Sequence, residues 1–282
     1  MNNVESFSFI AAMVSLGISL TLLVWTLIVS RREITKNQSE NKGKIRQPKI
    51  GVVATIIMSI GLALLTVSII SRAIVTGHGP FSNMYEFSMA FSWGILVAVL
   101  YFQYRYQTQI LSIIGIVVAL GFLIYAFNLP SRPVPLMPAL QQSALLTAHV
   151  TSAILAYGAF TIGFGAAIVY LVQRRLAASW LPKLEVLDSI GYHSVIIGFP
   201  LMTLLIILGA LWADVAWGKY WSWDPKETAS LVTWLIYAGY LHARLLRGWR
   251  GTKTAILLII GFAAVLFTFL GNYIFVGLHS YR

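Results

Sequence analysis

Eight apolar stretches, each about as long as a bilayer-crossing helix, set what this chain of 282 residues can fold into. They cover approximately residues 7–30, 51–71, 85–104, 109–127, 145–172, 190–212, 228–246 and 254–276. Roughly 20 residues of helix cross a hydrocarbon core of about 30 Å. Inside that core the backbone has no water to bond, so each stretch satisfies its own amide and carbonyl groups as a helix. The expected fold is all-α: a polytopic membrane protein of about eight transmembrane helices, a single integral membrane domain over 1–282. The first stretch follows only six residues and lacks a small-residue cleavage site, so it reads as a span rather than a signal peptide. Charged residues make up 10% of the chain, against roughly a quarter in soluble domains. That excludes an ordinary soluble enzyme and a disordered chain. There is no cysteine, hence no disulfide, no thiolate metal site and no thiol relay.

The net charge is +11, and its distribution predicts orientation, because Lys and Arg favour cytoplasmic loops. Loops after the odd-numbered stretches hold fifteen Lys and Arg, seven of them in the basic loop 31–49. The opposite side holds five: Arg72, Arg132, Lys219, Lys226 and Arg282. The first set is expected in the cytoplasm and both termini outside. The basic excess then sets orientation in membrane lipid and calls for no nucleic acid partner. The outer face receives segments 77–86, 128–143, 212–228 and 277–282. The cytoplasmic segment 178–189 alternates apolar and polar residues, the pattern of a short interfacial amphipathic helix.

Segment 212–228 is the most unusual. Trp212, Trp217, Trp221 and Trp223 fall within twelve residues, with Tyr220 among them and Gly218 as a spacer. Two readings stand. Indoles settle at the headgroup level as an aromatic belt, and flat aromatics beside a flexible glycine form a platform for a flat, apolar ligand. Asp214, Lys219, Asp224, Lys226 and Glu227 keep the loop polar as well. Pro225 suits the first turn of the following helix, with Asp224 as its cap.

The spelling WGKYWSWDPKE at 217–227 resembles the WWD signature of the haem-handling proteins of cytochrome c biogenesis. Thr233 with Trp234, and YLHAR at 240–244, resemble the CcsA/ResC branch, the system II type. So do GFPL at 198–201, GALW at 209–212, GHGP at 77–80, SNMYE at 82–86 and GLHS at 277–280. The resemblance runs from about residue 70 to the end of the chain, and the first two stretches match only in hydropathy. It implies a protein that binds haem b, moves it from the cytoplasmic side to the outer face and holds it on the WWD segment. There it is presented for thioether attachment to the CXXCH cysteines of an apocytochrome c. The platform would comprise Trp212, Trp217, Gly218, Tyr220, Trp221, Trp223, Asp224 and Pro225. The resemblance further implies a cytochrome c synthase complex of haem lyase type with a CcsB/ResB-type membrane subunit. Its membrane would be the bacterial cytoplasmic one, with the thylakoid as the alternative. The reacting thiols belong to the acceptor, which agrees with a chain that has none.

Three of the five histidines are candidate haem ligands. His149 opens the fifth stretch at its outer end, and His279 follows the eighth on the same side. Neutral imidazoles of this kind ligate haem iron from both faces, although a half-solvated interfacial histidine also accounts for either one alone. The resemblance implies that His149 and His279 are the paired external ligands. Ser152, Ala153 and Ala156 recur near His149 at helical spacing and leave room for a macrocycle. His242 lies 13 residues beyond Ala229, about 20 Å along a helix, and so falls in the inner half of the bilayer. An ionisable residue there is costly and marks a functional site, and the resemblance implies a transmembrane haem ligand. His78, Arg72 and Lys226 are possible accessory residues, the latter two as cations for haem propionates. His193 reads as structural, and no residue presents itself as a general acid or base. Two other classes compete. A b-type cytochrome holds haem between intramembrane histidine pairs, but only His242 lies deep. A transporter often shows repeats or interrupted helices at midplane, but no clear repeat is present and the distinctive residues cluster on the outer face.

Overall fold

The computed structural model describes residues 3–40, 49–79, 81–132 and 143–274. Eight helices fill them: α1 (Asn3–Glu40), α2 (Lys49–Thr76), α3 (Met84–Tyr106), α4 (Gln109–Phe127), α5 (Ser143–Leu176), α6 (Leu184–Trp217), α7 (Pro225–Leu246) and α8 (Thr252–Ile274). The first seven each contain one of the apolar stretches, and α8 covers the described part of the eighth. Seven are long and apolar enough to cross a membrane, and the chain is an all-α, multi-pass membrane protein. The exception is α7, whose 22 residues reach about 33 Å but include Trp234, Tyr237, Tyr240, His242 and Arg244. The interfacial helix expected over 178–189 is not a separate element. Residues 177–183 are irregular, and 184–189 form the start of α6. Pro182 disfavours the helical region for Leu181, so the helix begins only beyond it.

The chain divides into two compact units, Met1–Pro133 with Val172–Val186, and Val134–Leu171 with Leu187–Arg282. In the first, α1 packs on α2 and α4, and α3 packs on α2 and α4. The enclosed helix is α3: 72% of its apolar window is buried, against 33% for α1 and 28% for α2. Its buried residues include Ser88, Ala90, Ser92 and Gly94, small and hydroxyl side chains that suit contact with helices rather than lipid. The Ser92 hydroxyl donates to the Ala119 carbonyl of α4 at 3.0 Å. The Trp93 indole donates to the Thr66 hydroxyl of α2 at 2.9 Å.

The second unit is built on α5, α6, α7 and α8. Phe160 of α5 stacks on Tyr237 of α7 with centroids 3.7 Å apart and planes 8° from parallel. Two glycines make room for the pair. A Cβ at Gly198 would lie 2.5 Å from the Phe160 ring, and one at Gly261 would lie 2.7 Å from the Tyr237 ring. The Trp234 indole of α7 donates to Thr203 of α6 at 2.9 Å, and the hydroxyls of Thr233 and Thr268 join α7 to α8 at 3.2 Å. Helix α7 is thus held by three neighbours, and its polar side chains Thr233 and Trp234 find partners on them.

Candidate functional site

The Trp-rich segment is a tight corner between α6 and α7. Helix α6 ends where Gly218 enters the left-handed region at φ 69° and donates its N–H to the Asp214 carbonyl at 2.8 Å, a glycine C-cap. Helix α7 begins with Asp224, whose carboxylate accepts the Lys226 N–H at 2.9 Å, and with Pro225 in the first turn. Glu227 completes a capping box. It accepts the N–H of Ser222 at 2.8 Å and the N–H of Asp224 at 3.2 Å. The Asp, Pro and Glu of the motif therefore shape the corner. Glu227 was not among the site residues expected from sequence, although an acid three residues after a cap is itself a signal. Trp223 is held at φ 59°, a conformation that costs a non-glycine residue about 1–2 kcal/mol. Its indole is 69% exposed and stands edge-on to Trp221, 5.8 Å away. Tyr220 is exposed and Trp212 buried, so the aromatic side chains divide into an inner and an outer set.

The inner set meets His149. Trp212 lies parallel to the His149 ring within 17°, centroids 6.4 Å apart, and Trp217 meets Trp212 edge-on at 4.8 Å. His149 Nδ1 lies 2.9 Å from the Leu205 carbonyl of α6. A carbonyl only accepts, so in the neutral ring Nδ1 carries the proton and Nε2 is the basic nitrogen. Gly209 permits this approach, because a Cβ there would lie 2.8 Å from His149 Cε1. The GALW segment noted in the sequence thus supplies both the gap and the indole.

The other expected residues lie elsewhere. His242 is exposed on α7. His279 lies outside the described residues. His78 has Nδ1 2.7 Å from the Gly79 carbonyl and a buried Nε2 with no hydrogen-bond partner among the described residues. Arg72 is fully buried in the first unit, bonded to Glu86 at 2.8 Å. Lys226 is half-buried just before the seventh apolar stretch. Burial pushes its ammonium down to about 8, with the Asp224 carboxylate opposing. His193 bonds the Ser189 carbonyl of its own helix at 2.8 Å.

The family model for the cytochrome c assembly protein matches residues 81–279. This chain belongs to that family. Its relatives place it among the CcsA-type cytochrome c biogenesis proteins. It is 40% identical over 252 residues to the CcsA of Guillardia theta, covering 78% of this chain and 83% of the relative. It is 37% identical over 259 residues to that of Prochlorococcus marinus, covering 80% and 81%. It is 38% identical over 241 residues to that of Chlamydomonas reinhardtii, covering 81% and 68%. The solved structure of the cytochrome c haem lyase CcmF superposes with a TM-score of 0.65 at 15% identity, over 93% of this chain and 47% of that one. The fold is shared, and this CcsA-type chain spans about half the length of that protein.

Proposed function

We propose that this cytochrome c biogenesis protein takes haem b from the cytoplasmic side or inner leaflet and presents it at the outer face to an apocytochrome c. Haem is the substrate here. It would be held first at His242 and then on the WWD corner, between His149 and His279. The observation that carries the reading is the fixed His149 ring beside Trp212 and Trp217: its Nδ1 proton is committed to the Leu205 carbonyl, which leaves Nε2 as the nitrogen suited to iron. A supporting hydrogen bond of this kind sets the tautomer and orientation of a metal-binding histidine. The exposed Trp223 and Tyr220 offer flat apolar surface to the porphyrin. Lys226 and Lys219 supply cations for the propionates.

Attachment would add an acceptor thiol across each haem vinyl group: the S–H bond and the vinyl π bond break, one C–S and one C–H bond form, and no external oxidant is consumed. The protein's contribution is to position the two reactants. A CcsB/ResB-type subunit would complete the synthase, in a membrane of bacterial cytoplasmic or thylakoid type, with the WWD corner and both termini on the outer side.

The test is purification with that subunit, followed by haem spectra of single variants. His149→Ala and His279→Ala are each expected to lose the outer haem signature and cytochrome c maturation. His242→Ala is expected to lower loading of the outer site. If both outer variants keep haem and mature cytochrome c, the outer-site reading fails. Unchanged loading in His242→Ala removes the inner step.

A further inference from the structure

We propose that Asp188 is a positioning residue for His242: it locks the inner end of α7 at the rotation that turns the His242 imidazole outward from the second unit. The inference rests on the reading of His242 as the inner haem ligand. Asp188 lies near the start of α6, and its carboxylate gathers groups from α7, from the turn after it and from α8. Arg244 Nη1 donates at 3.0 Å and Nη2 at 2.7 Å. The Gly251 N–H donates at 3.1 Å and the Thr254 hydroxyl at 3.3 Å. A forked guanidinium–carboxylate pair restricts orientation as well as distance. The guanidinium also lies over the Tyr192 ring, 4.7 Å from its centroid. The two side chains are only 11% and 15% exposed, so water competes little for these bonds.

The rotation of α7 follows from helix geometry. Thr233, Tyr237, Tyr240 and Ala243 form its buried face, and Arg244, one turn beyond Tyr240, continues that face. His242 precedes Arg244 by two residues, about 200° around the axis at roughly 100° per residue. Holding Arg244 inward therefore holds His242 outward, in agreement with its exposure. Without Asp188, Arg244 loses its carboxylate, and the last turn of α7 is free to rotate or fray together with His242.

The absence of cysteine makes a direct test possible. A nitroxide attached in the full chain through His242→Cys reads local order by electron paramagnetic resonance, with Val67→Cys on α2 as control. Asp188→Ala is expected to add a mobile component at position 242 and none at 67. In the complex with His242 intact, Asp188→Ala is expected to lower inner-haem occupancy roughly tenfold, within the range for lost support of a metal-binding side chain, and to alter the low-spin signal of what remains. Asp188→Glu, which keeps the carboxylate, should recover part of both. Asp188→Asn serves if the alanine variant does not accumulate. An unchanged line shape at 242, or wild-type haem in Asp188→Ala, overturns the proposal. Wild-type haem in His242→Ala instead overturns the ligand reading, and the line-shape result then stands by itself as a statement about α7.

Discussion

Arg72 illustrates how far a single residue's chemistry depends on its partners. By sequence it is one of five cations on the outer side and a candidate for an anionic ligand. In the folded chain it has no exposure and lies within a charged cluster, with Glu86 at 2.8 Å and Glu5 at 3.5 Å. Its Nη1 also donates to the Ser131 carbonyl at 2.6 Å, and the Tyr85 hydroxyl donates to Glu5 at 3.1 Å. Removing one partner of such a pair leaves an uncompensated buried charge and costs about 3–5 kcal/mol. Arg72→Leu is therefore expected to abolish or sharply reduce accumulation in the membrane, and Glu86→Gln in the same background to recover part of it. Thermal unfolding in detergent measures both, and an Arg72→Leu change below about 1 kcal/mol, the size of an ordinary substitution, would show that the cluster tolerates the loss. The chemistry of Arg72 was legible in the sequence, but its pairing was not, because Glu5 lies at the start of α1 and Arg72 near the end of α2, far apart along the chain and adjacent only in the folded helix pair.

At the scale of elements, the entry to α7 was legible and its packing was not. Asp224 as cap and Pro225 in the first turn are local rules, and both hold. Asp224→Ala should cost about 1 kcal/mol of stability, whereas Asp224→Asn, which still caps, should retain most of it. Comparing outer haem loading in the two separates the cap from the charge. If Asn is as damaging as Ala to stability, the carboxylate does more than cap. The fit of α7 to its neighbours is set at a distance, by Gly261 of α8 against Tyr237. Gly261→Ala is expected to destabilise by about 1–3 kcal/mol through overpacking. The unfolding midpoint reads this directly, and a neutral result would mean that the Phe160–Tyr237 stack has room to shift. The single interfacial helix expected at 178–189 failed for a related reason. An amphipathic pattern records which side chains are polar, but a proline within it decides where a helix can start.

For the whole molecule, the eight apolar stretches and the asymmetry of basic residues yield one topology. Tags in the loop 31–49 and at the C-terminus are expected on opposite sides of the membrane, the first in the cytoplasm. Protease protection in oriented vesicles measures this, and the same side for both would leave an odd number of spans. That result would bear hardest on α7, the one described helix that is not long and apolar enough throughout to cross a membrane.

The sequence by itself determined the helices, the membrane-spanning character of seven of them, the corner between α6 and α7 and the family, because each depends on neighbours along the chain. A helix in lipid bonds within its own segment, and a cap reaches only three residues. Tertiary structure alone decided the rest. It placed His149 against the Leu205 carbonyl 56 residues away, enclosed Arg72 between two carboxylates and turned His242 outward by anchoring Arg244 to Asp188. Those outcomes depend on which faces of separate helices meet. Apolar periodicity leaves that choice open in a membrane, where lipid and protein interior are equally apolar and only close packing and buried polar pairs distinguish one face from another.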